Sequence, residues 1–126
     1  MLFDTDILVW ALRGNPKAVR LIDRTSDLYL SVVSYLELLQ GARDRSELRA
    51  IKSYLKDLNF QMVPLGENIG HRATIYMEQY ALQADLCPAD ALIAATATEN
   101  ALSLATGNKK HFSAIRELEV VQFRPE

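Results

Sequence analysis

The sequence predicts an α/β fold in which helices cover both faces of a mainly parallel sheet of five strands. Five short apolar segments alternate with segments of helical periodicity along the 126 residues. At least one predicted helix separates each strand from the next, and parallel strands need such connections. Because no repeat, linker or low-complexity tract interrupts this pattern, residues 1–126 are expected to form one domain.

The first quarter of the chain predicts two strands with two helices between them. Residues 1–4 form an apolar strand that ends in an acid, and residues 6–13 form a short helix. The next helix extends from Pro16 to about Thr25, because asparagine is a good cap and proline suits the first helical position. Residues 28–33 are typical of a buried strand, since they are rich in β-branched and aromatic side chains.

The middle of the chain predicts two further helices and the third strand. Residues 34–41 form a short helix ended by glycine. Asp44 and Glu47 have the spacing of a capping box, which predicts a helix over 45–58. Residues 60–65 form the third strand.

The last part of the chain continues the alternation. A long helix is expected over 67–84, and a proline opens an alanine-rich helix over 88–100. Strand four is expected at 102–105, a helix at 109–116 and the last strand at 119–123.

Composition excludes several classes of protein. Hydrophobic residues make up 49% and charged residues 24%, the balance of an ordinary globular domain. The single cysteine, Cys87, excludes an internal disulfide and a cysteine-based zinc cluster; we expect it to be a buried, inert thiol. His71 is expected on the surface of its helix. Since neither a membrane span nor a signal peptide is evident, we expect a soluble cytoplasmic protein without a membrane partner.

Three acidic residues at the starts of apolar segments are the strongest chemical feature. Asp4 ends strand one, Glu37 lies just past strand two, and Asp90 opens the helix that leads into strand four. In parallel α/β folds these positions lie at the carboxyl edge of the sheet, where ligands bind at the topological switch point. Carboxylates that converge there repel each other, and a hard divalent cation is their natural counter-charge.

Each acid also has a purely structural interpretation. Asp4 or Asp6 could cap the first helix, and Asp90 favours the positive end of its own helix. Ser34 and Glu37 have the spacing of a capping box. Only convergence in space separates these interpretations from a shared site.

Basic residues recur at helical spacing in two places, although the net charge is only −2. They are either solvated helix faces or a surface that follows phosphates. The sets are Arg13, Lys17, Arg20 and Arg24, and Arg45, Arg49, Lys52 and Lys56.

Four segments together resemble one known family. Residues 4–8 (DTDIL), 34–38 (SYLEL), 88–97 (PADALIAATA) and 104–112 (LATGNKKHF) are similar, in order and separation, to the PIN domain. Within that family the chain is most similar to VapC-type toxins of bacterial toxin–antitoxin pairs. The resemblance spans essentially the whole chain and implies a PIN-like three-layer sandwich.

The resemblance implies a ribonuclease that depends on Mg²⁺ or Mn²⁺. The acids of the family map onto Asp4, Glu37 and Asp90, which are the expected catalytic and metal-binding residues. The fourth acidic position of the family falls on Asn108, a fourth expected ligand, and His111 stands where relatives often have aspartate. Asp4 and Asp90 would bind the metal most directly, while Glu37 would hold a metal-bound water or act as a base.

Other positions are expected to bind substrate. Thr5 and Thr106 match polar positions near the site of the family, as ligands of a water or a phosphate. Arg13, Lys109 and Lys110 lie near the predicted strand ends, so they are expected to contact the RNA backbone.

The resemblance also implies partners besides RNA. They are a cognate antitoxin protein and a second copy of the chain in a homodimer. Trp10 and Leu12 belong either to the core, which we expect for Trp10, or to a groove for the antitoxin.

Two alternatives come from other classes of protein. A catalytically silent PIN-like binding module is compatible with Asn108. A receiver-type signalling domain has this length, but it needs an aspartate at the end of strand three, where residues 63–66 are Val-Pro-Leu-Gly. A phosphatase with an Asp-x-Asp motif is suggested by residues 4–6, although the chain is short for that class.

Overall fold

Five short strands form one parallel sheet in the computed structural model, which describes all 126 residues. From one edge to the other the strands follow the order three, two, one, four, five, and each pair is parallel. The predicted α/β class and the five-stranded parallel sheet are confirmed. The strands are β1 (Leu2–Phe3), β2 (Tyr29–Ser31), β3 (Gln61–Val63), β4 (Leu104–Thr106) and β5 (Val120–Gln122).

Seven helices surround this sheet, as predicted. The main differences from prediction are at element ends: the third helix begins two residues earlier, and the seventh ends four residues sooner. The helices are α1 (Thr5–Leu12), α2 (Pro16–Asp23), α3 (Val32–Gln40), α4 (Arg45–Asp57), α5 (Glu67–Ala84), α6 (Pro88–Glu99) and α7 (Lys109–Phe112).

Two hydrophobic cores, one on each face of the sheet, give three layers. Successive side chains of a strand point to opposite faces, so Leu2 packs into one core and Phe3 into the other. Leu104 and Ala105 divide in the same way on β4. The core of Leu2 includes α5 and α6, and the core of Phe3 includes α1, α2 and α4.

The order in which strands are added to the sheet reverses at β1, and this reversal determines where a ligand can bind. Strand β1 pairs with β2 on one side and with β4 on the other, so the loops after β1 and β4 diverge. Side chains that follow these two strands therefore lie at the topological switch point. Asp4 directly follows β1, and Thr106 ends β4.

Three helix ends differ from their predicted chemistry. The prediction of a capping box at Ser34 and Glu37 is wrong, because α3 starts directly after β2. Ser31 caps this helix instead, and its hydroxyl accepts from the Val33 N–H at 3.0 Å. Asp44 does cap α4, but Glu47 accepts from the Arg43 N–H rather than from Asp44. The glycine after α3 has a right-handed backbone, with φ −77°.

Two side chains expected in the interior lie on the surface. Trp10 is 36% exposed, so its predicted place in the core is wrong; it lies on the outward face of α1. Cys87 is exposed because it precedes α6 rather than packing beneath it. Partial burial and then its hydrogen bond to Asp90 raise the pKa of the Cys87 thiol, which favours the protonated, unreactive form. His71 is on the surface, as predicted. No helix is both long and apolar enough to span a bilayer.

Candidate active site

Asp4 lies at the centre of the carboxyl edge and is 94% buried there by its neighbours, with 6% of its surface exposed. Its backbone N–H continues the sheet by donating to the Ala105 carbonyl at 2.9 Å, and its side chain caps α1. One carboxylate oxygen accepts from the Thr5 N–H at 2.8 Å. The other accepts from the Thr106 hydroxyl at 2.7 Å. The structural cap and the buried site acid are therefore the same residue.

Asp6 is a second carboxylate at this edge. Its Oδ2 accepts from the Gly107 N–H at 2.9 Å, and its Oδ1 accepts from the Ile7 N–H at 2.8 Å. A Cβ at position 107 would stand 2.5 Å from Asp6 Oδ2, so only glycine allows this approach. Asp6 thus ties the start of α1 to the loop after β4.

Glu37 reaches the same edge from α3. The Thr5 hydroxyl donates to Glu37 Oε1 at 2.6 Å, and Thr5 Oγ1 also lies 2.9 Å from the buried Ser34 hydroxyl. Thr5 therefore links Glu37 to Asp4, because its hydroxyl donates to Glu37 and its backbone N–H donates to Asp4. Glu37 itself is exposed, so its carboxylate remains open to solvent.

Asp90 approaches from the first turn of α6. Its Oδ2 accepts from the Cys87 N–H at 3.3 Å and lies 3.1 Å from Cys87 Sγ, closing a capping box. The same oxygen lies 3.5 Å from Nδ1 of His111 on α7. The structural interpretation of Asp90 is correct, and it does not exclude a second role.

The carboxylates of this edge influence each other. Burial, and then the negative charges of Asp6 and Asp90, raise the pKa of Asp4 to about 6, against hydrogen bonds from Thr106 and Thr5 that lower it. Burial and the charge of Asp90 also raise the pKa of Asp6. No lysine or arginine forms an ion pair with any of these three acids. The edge therefore carries negative charge that the chain itself leaves largely uncompensated.

The donors fit a hard divalent cation in chemistry, but they are not arranged as a ready ligand set. Carboxylate oxygens are what Mg²⁺ and Mn²⁺ prefer, and a cation would favour the charged form of Asp4 that burial and the charges of Asp6 and Asp90 disfavour. No group of three or more His, Cys, Asp or Glu side chains is placed to hold a metal ion. The reason is visible in the contacts, because Asp4, Glu37 and Asp90 each turn toward a different neutral donor. Their roles as metal ligands, with that of Asn108, stay a prediction.

The residues expected to bind substrate divide into two groups. Thr106 is fully buried and donates to Asp4, and the Thr5 hydroxyl is used by Glu37, so both position carboxylates rather than meet a phosphate. The other group is exposed. Arg13 follows α1, and Lys109 and Lys110 form the first turn of α7 directly after Asn108.

Sequence reasoning gave Asp6, Gly107 and Ser34 no part in the site. The sequence suggests Asp6 as a cap or as part of an Asp-x-Asp phosphatase motif, yet its partner is the amide of a residue 101 positions away. The DTD sequence of residues 4–6 is the signal that could have found it, since a second acid two residues after a strand end reaches the same edge. Nothing in the sequence indicates the contact between Ser34 and Thr5.

The fold and the acidic edge define a PIN-domain protein. The family model described as PIN domain matches residues 1–118. The chain belongs to the PIN domain family, and the receiver-type and phosphatase alternatives fall with this result.

Its similar relatives lie in one branch of that family. It is 33% identical to Ribonuclease VapC1 of Rickettsia felis, over 96% of this chain and 94% of that protein. It is 37% identical to Ribonuclease VapC10 of Mycobacterium tuberculosis, over 94% of this chain and 90% of that protein. VapC nucleases with a PIN domain are generally dependent on a divalent metal.

Solved structures agree with this placement. The chain is similar to a toxin–antitoxin complex from Klebsiella pneumoniae, with a TM-score of 0.81 and 27% identity, covering 99% of this chain and 97% of that one. It is also similar to FitAcB from Neisseria gonorrhoeae, with a TM-score of 0.73 and 26% identity, covering 98% and 96%. The predicted fold and the predicted family are confirmed.

Proposed function

We propose that this chain is the toxin of a VapBC-type toxin–antitoxin pair, an endoribonuclease that hydrolyses RNA phosphodiester bonds with Mg²⁺ or Mn²⁺. The observation that carries the proposal is the acidic edge at the switch point, where burial and then neighbouring carboxylates raise the pKa of Asp4 and of Asp6 and no lysine or arginine forms an ion pair with them. The relatives named as VapC ribonucleases support the choice of RNA as substrate.

The chain's own residues divide the work of hydrolysis. Asp4 and Asp90 would hold the cation, with Asn108 beside them on the loop before α7. When bound, such an ion would lower the pKa of a water and stabilise charge on the phosphate. Glu37 is exposed and fixed through Thr5, so it can orient that water or take its proton. Thr106 and Gly107 keep Asp4 and Asp6 in place.

The exposed cations would bind the RNA on either side of this edge. Lys109 and Lys110 stand at the start of α7, which also carries the His111 side chain that lies near Asp90. Arg13 lines a groove together with Glu37. Phosphate contacts of this kind hold the strand in register and carry no sequence information.

An antitoxin would bind the groove between α1, α3 and α4. This groove has a volume of about 680 Å³ and is lined by apolar side chains that include Val9, Leu12 and Ile51, with Glu37 at its border. A segment laid here would cover the way to the acidic edge. The similar structure from Klebsiella pneumoniae is a toxin–antitoxin complex. A homodimer and a cytoplasmic location, the latter suggested by the single cysteine, belong to the same proposal.

The test is cleavage of a panel of transfer and ribosomal RNAs by the purified chain. We expect cleavage with Mg²⁺ or Mn²⁺, none with EDTA, and recovery when the metal is restored. The Asp90→Asn protein is the control, because asparagine keeps an acceptor for the Cys87 N–H and loses the charge. Equal cleavage by Asp90→Asn would show that the activity comes from a contaminant or from another site.

A silent PIN-like binding module is the second candidate. Asn108 replaces a carboxylate, and His111 brings an imidazole within 3.5 Å of Asp90, so the edge has less negative charge than four acids would give. RNA that binds to the chain but survives with every divalent metal would favour this candidate.

A further inference from the structure

Four basic side chains from two elements converge on a pocket at the β5 edge of the sheet. Lys17, Arg20 and Arg24 lie along α2, and Arg124 follows β5. The pocket has a volume of about 260 Å³, roughly the space of nine liquid waters at about 30 Å³ each, and no acidic side chain lines it. Its size and its cations suit phosphate groups.

None of these four cations is neutralised by the chain. The ion pairs of the protein involve Arg43, Arg72 and His111, and none of them includes a residue of the pocket. The acid of α2, Asp23, lies near Tyr54 on α4, where burial and then the Asp23 charge raise the pKa of that phenol. Four unpaired cations in one place are notable in a chain whose net charge is −2.

A residue that lines the pocket, Phe123, is bonded to the end of β4 beside the acidic edge. The Phe123 N–H donates to the Thr106 carbonyl at 2.9 Å, and a Cβ at Gly107 would lie 3.6 Å from the Phe123 carbonyl. The Asn15 side chain donates to the Pro125 carbonyl at 3.0 Å, which joins the start of α2 to the segment after β5. The pocket therefore begins beside the loop that holds Asp6.

We propose that the α2–β5 pocket binds the phosphate backbone of the RNA substrate on one side of the cut, as a binding site separate from the acidic edge. This inference rests on the proposed ribonuclease function. Guanidinium groups match phosphate oxygens in a bidentate manner, and the exposed α2 face presents two of them one helical turn apart.

RNA binding measures the pocket directly. Both arms use the Asp90→Asn protein, so that the RNA is not cleaved during the binding measurement. One arm adds Arg20→Gln with Arg24→Gln. The matched control adds Arg72→Gln with Arg116→Gln, which removes the same charge outside the two sets of regularly spaced basic residues. With a fluorescent single-stranded RNA, we expect the slope of log affinity against log salt to fall by about 1.4 in the pocket arm, for two lost contacts, and to change little in the control. Equal falls in both arms, or no fall in either, would overturn the inference.

Cleavage separates this inference from the proposed function. In the otherwise unchanged chain, Arg20→Gln with Arg24→Gln should raise KM and leave kcat within about two-fold, since these residues hold RNA and do not touch the reacting bond. Melting curves should match those of the parent, because both side chains are exposed. If the parent cleaves RNA and the pocket variant has an unchanged KM, only the inference fails. If the parent cleaves no RNA, the proposed function fails.

Discussion

Two groups of acids in this molecule differ in how their charge is compensated. At the α5–α6 side, Arg72 binds Glu117 at 2.9 Å and also pairs with Glu99, and the Tyr76 hydroxyl adds a donor to Glu117. At the carboxyl edge of the sheet, Asp4 and its acidic neighbours have only amides, hydroxyls, one thiol and one imidazole as partners.

The difference shows what hydrogen bonding alone can and cannot do. No buried side-chain nitrogen or oxygen lacks a partner anywhere in the chain, so the acidic edge is fully satisfied in hydrogen bonds. Its charge is nevertheless uncompensated by any cation, and burial, followed by the charges of Asp6 and Asp90, raises the pKa of Asp4 to about 6. The α5–α6 acids stabilise the fold with a cation that the chain supplies. The edge acids have no such cation, and under the proposed function a bound metal ion would supply the compensating charge.

The largest expected effect is the loss of cleavage in Asp4→Asn. Removing a charge that holds the cation should cost about 4 kcal/mol of transition-state stabilisation, which is about a 1,000-fold loss in kcat/KM. The measurement is the rate of cleavage of one RNA at saturating Mg²⁺. Glu99→Gln, which alters an acid of the compensated group, is the matched control and should keep the parent rate. A similar loss in both variants would mean that the two groups do not differ in function.

The same Asp4→Asn variant should gain stability at neutral pH. The pKa of Asp4 is about 6 in the folded chain and near 3.8 when unfolded, so the folded state binds the proton more tightly. The unfolding free energy of the parent therefore falls as the pH rises from about 4 to 6, by up to about 3 kcal/mol from this group. The variant does not lose this unfolding free energy as the pH rises, although the asparagine amide is a poorer hydrogen-bond partner for the Thr106 hydroxyl.

Urea unfolding at pH 4 and pH 7.5, without divalent metal, measures that difference. The parent should lose more stability between the two pH values than Asp4→Asn does. Mg²⁺ at pH 7.5 should stabilise the parent and leave the variant nearly unchanged. Identical pH dependence in the parent and the variant would show that folding does not raise the pKa of Asp4.

Gly107→Ala tests the link between the edge acids and the loop after β4. The new methyl group would stand 2.5 Å from Asp6 Oδ2, so Asp6 must move and its bond to the Gly107 amide must break. We expect a loss of about 2 kcal/mol in the unfolding free energy, together with reduced cleavage. Gly70→Ala is the control, because a methyl group there meets nothing within 4 Å in an exposed part of α5. That change should stabilise the chain by about 0.5–1 kcal/mol.

The sequence predicted the position of the site better than its internal contacts. Asp4, Glu37 and Asp90 could be placed at one edge because parallel strands end together, whatever their separation along the chain. The hydrogen bond between Thr106 and Asp4 joins residues 102 positions apart, and no local pattern encodes it. Hydrophobicity also failed to place Trp10, a large apolar side chain that is nevertheless 36% exposed on α1.

The smallest expected effect comes from the compensated acids. Arg72→Met removes the cation shared by Glu99 and Glu117, and it should lower the unfolding free energy by about 1 kcal/mol or less, because a third of the arginine is exposed and water screens the pair. Cleavage should be unchanged, since these residues lie away from the carboxyl edge. Arg43→Met breaks the more exposed pair with Glu47 and should have no measurable effect on the urea midpoint. A cleavage defect in Arg72→Met with normal stability would contradict the division of the acids into a structural and a functional group.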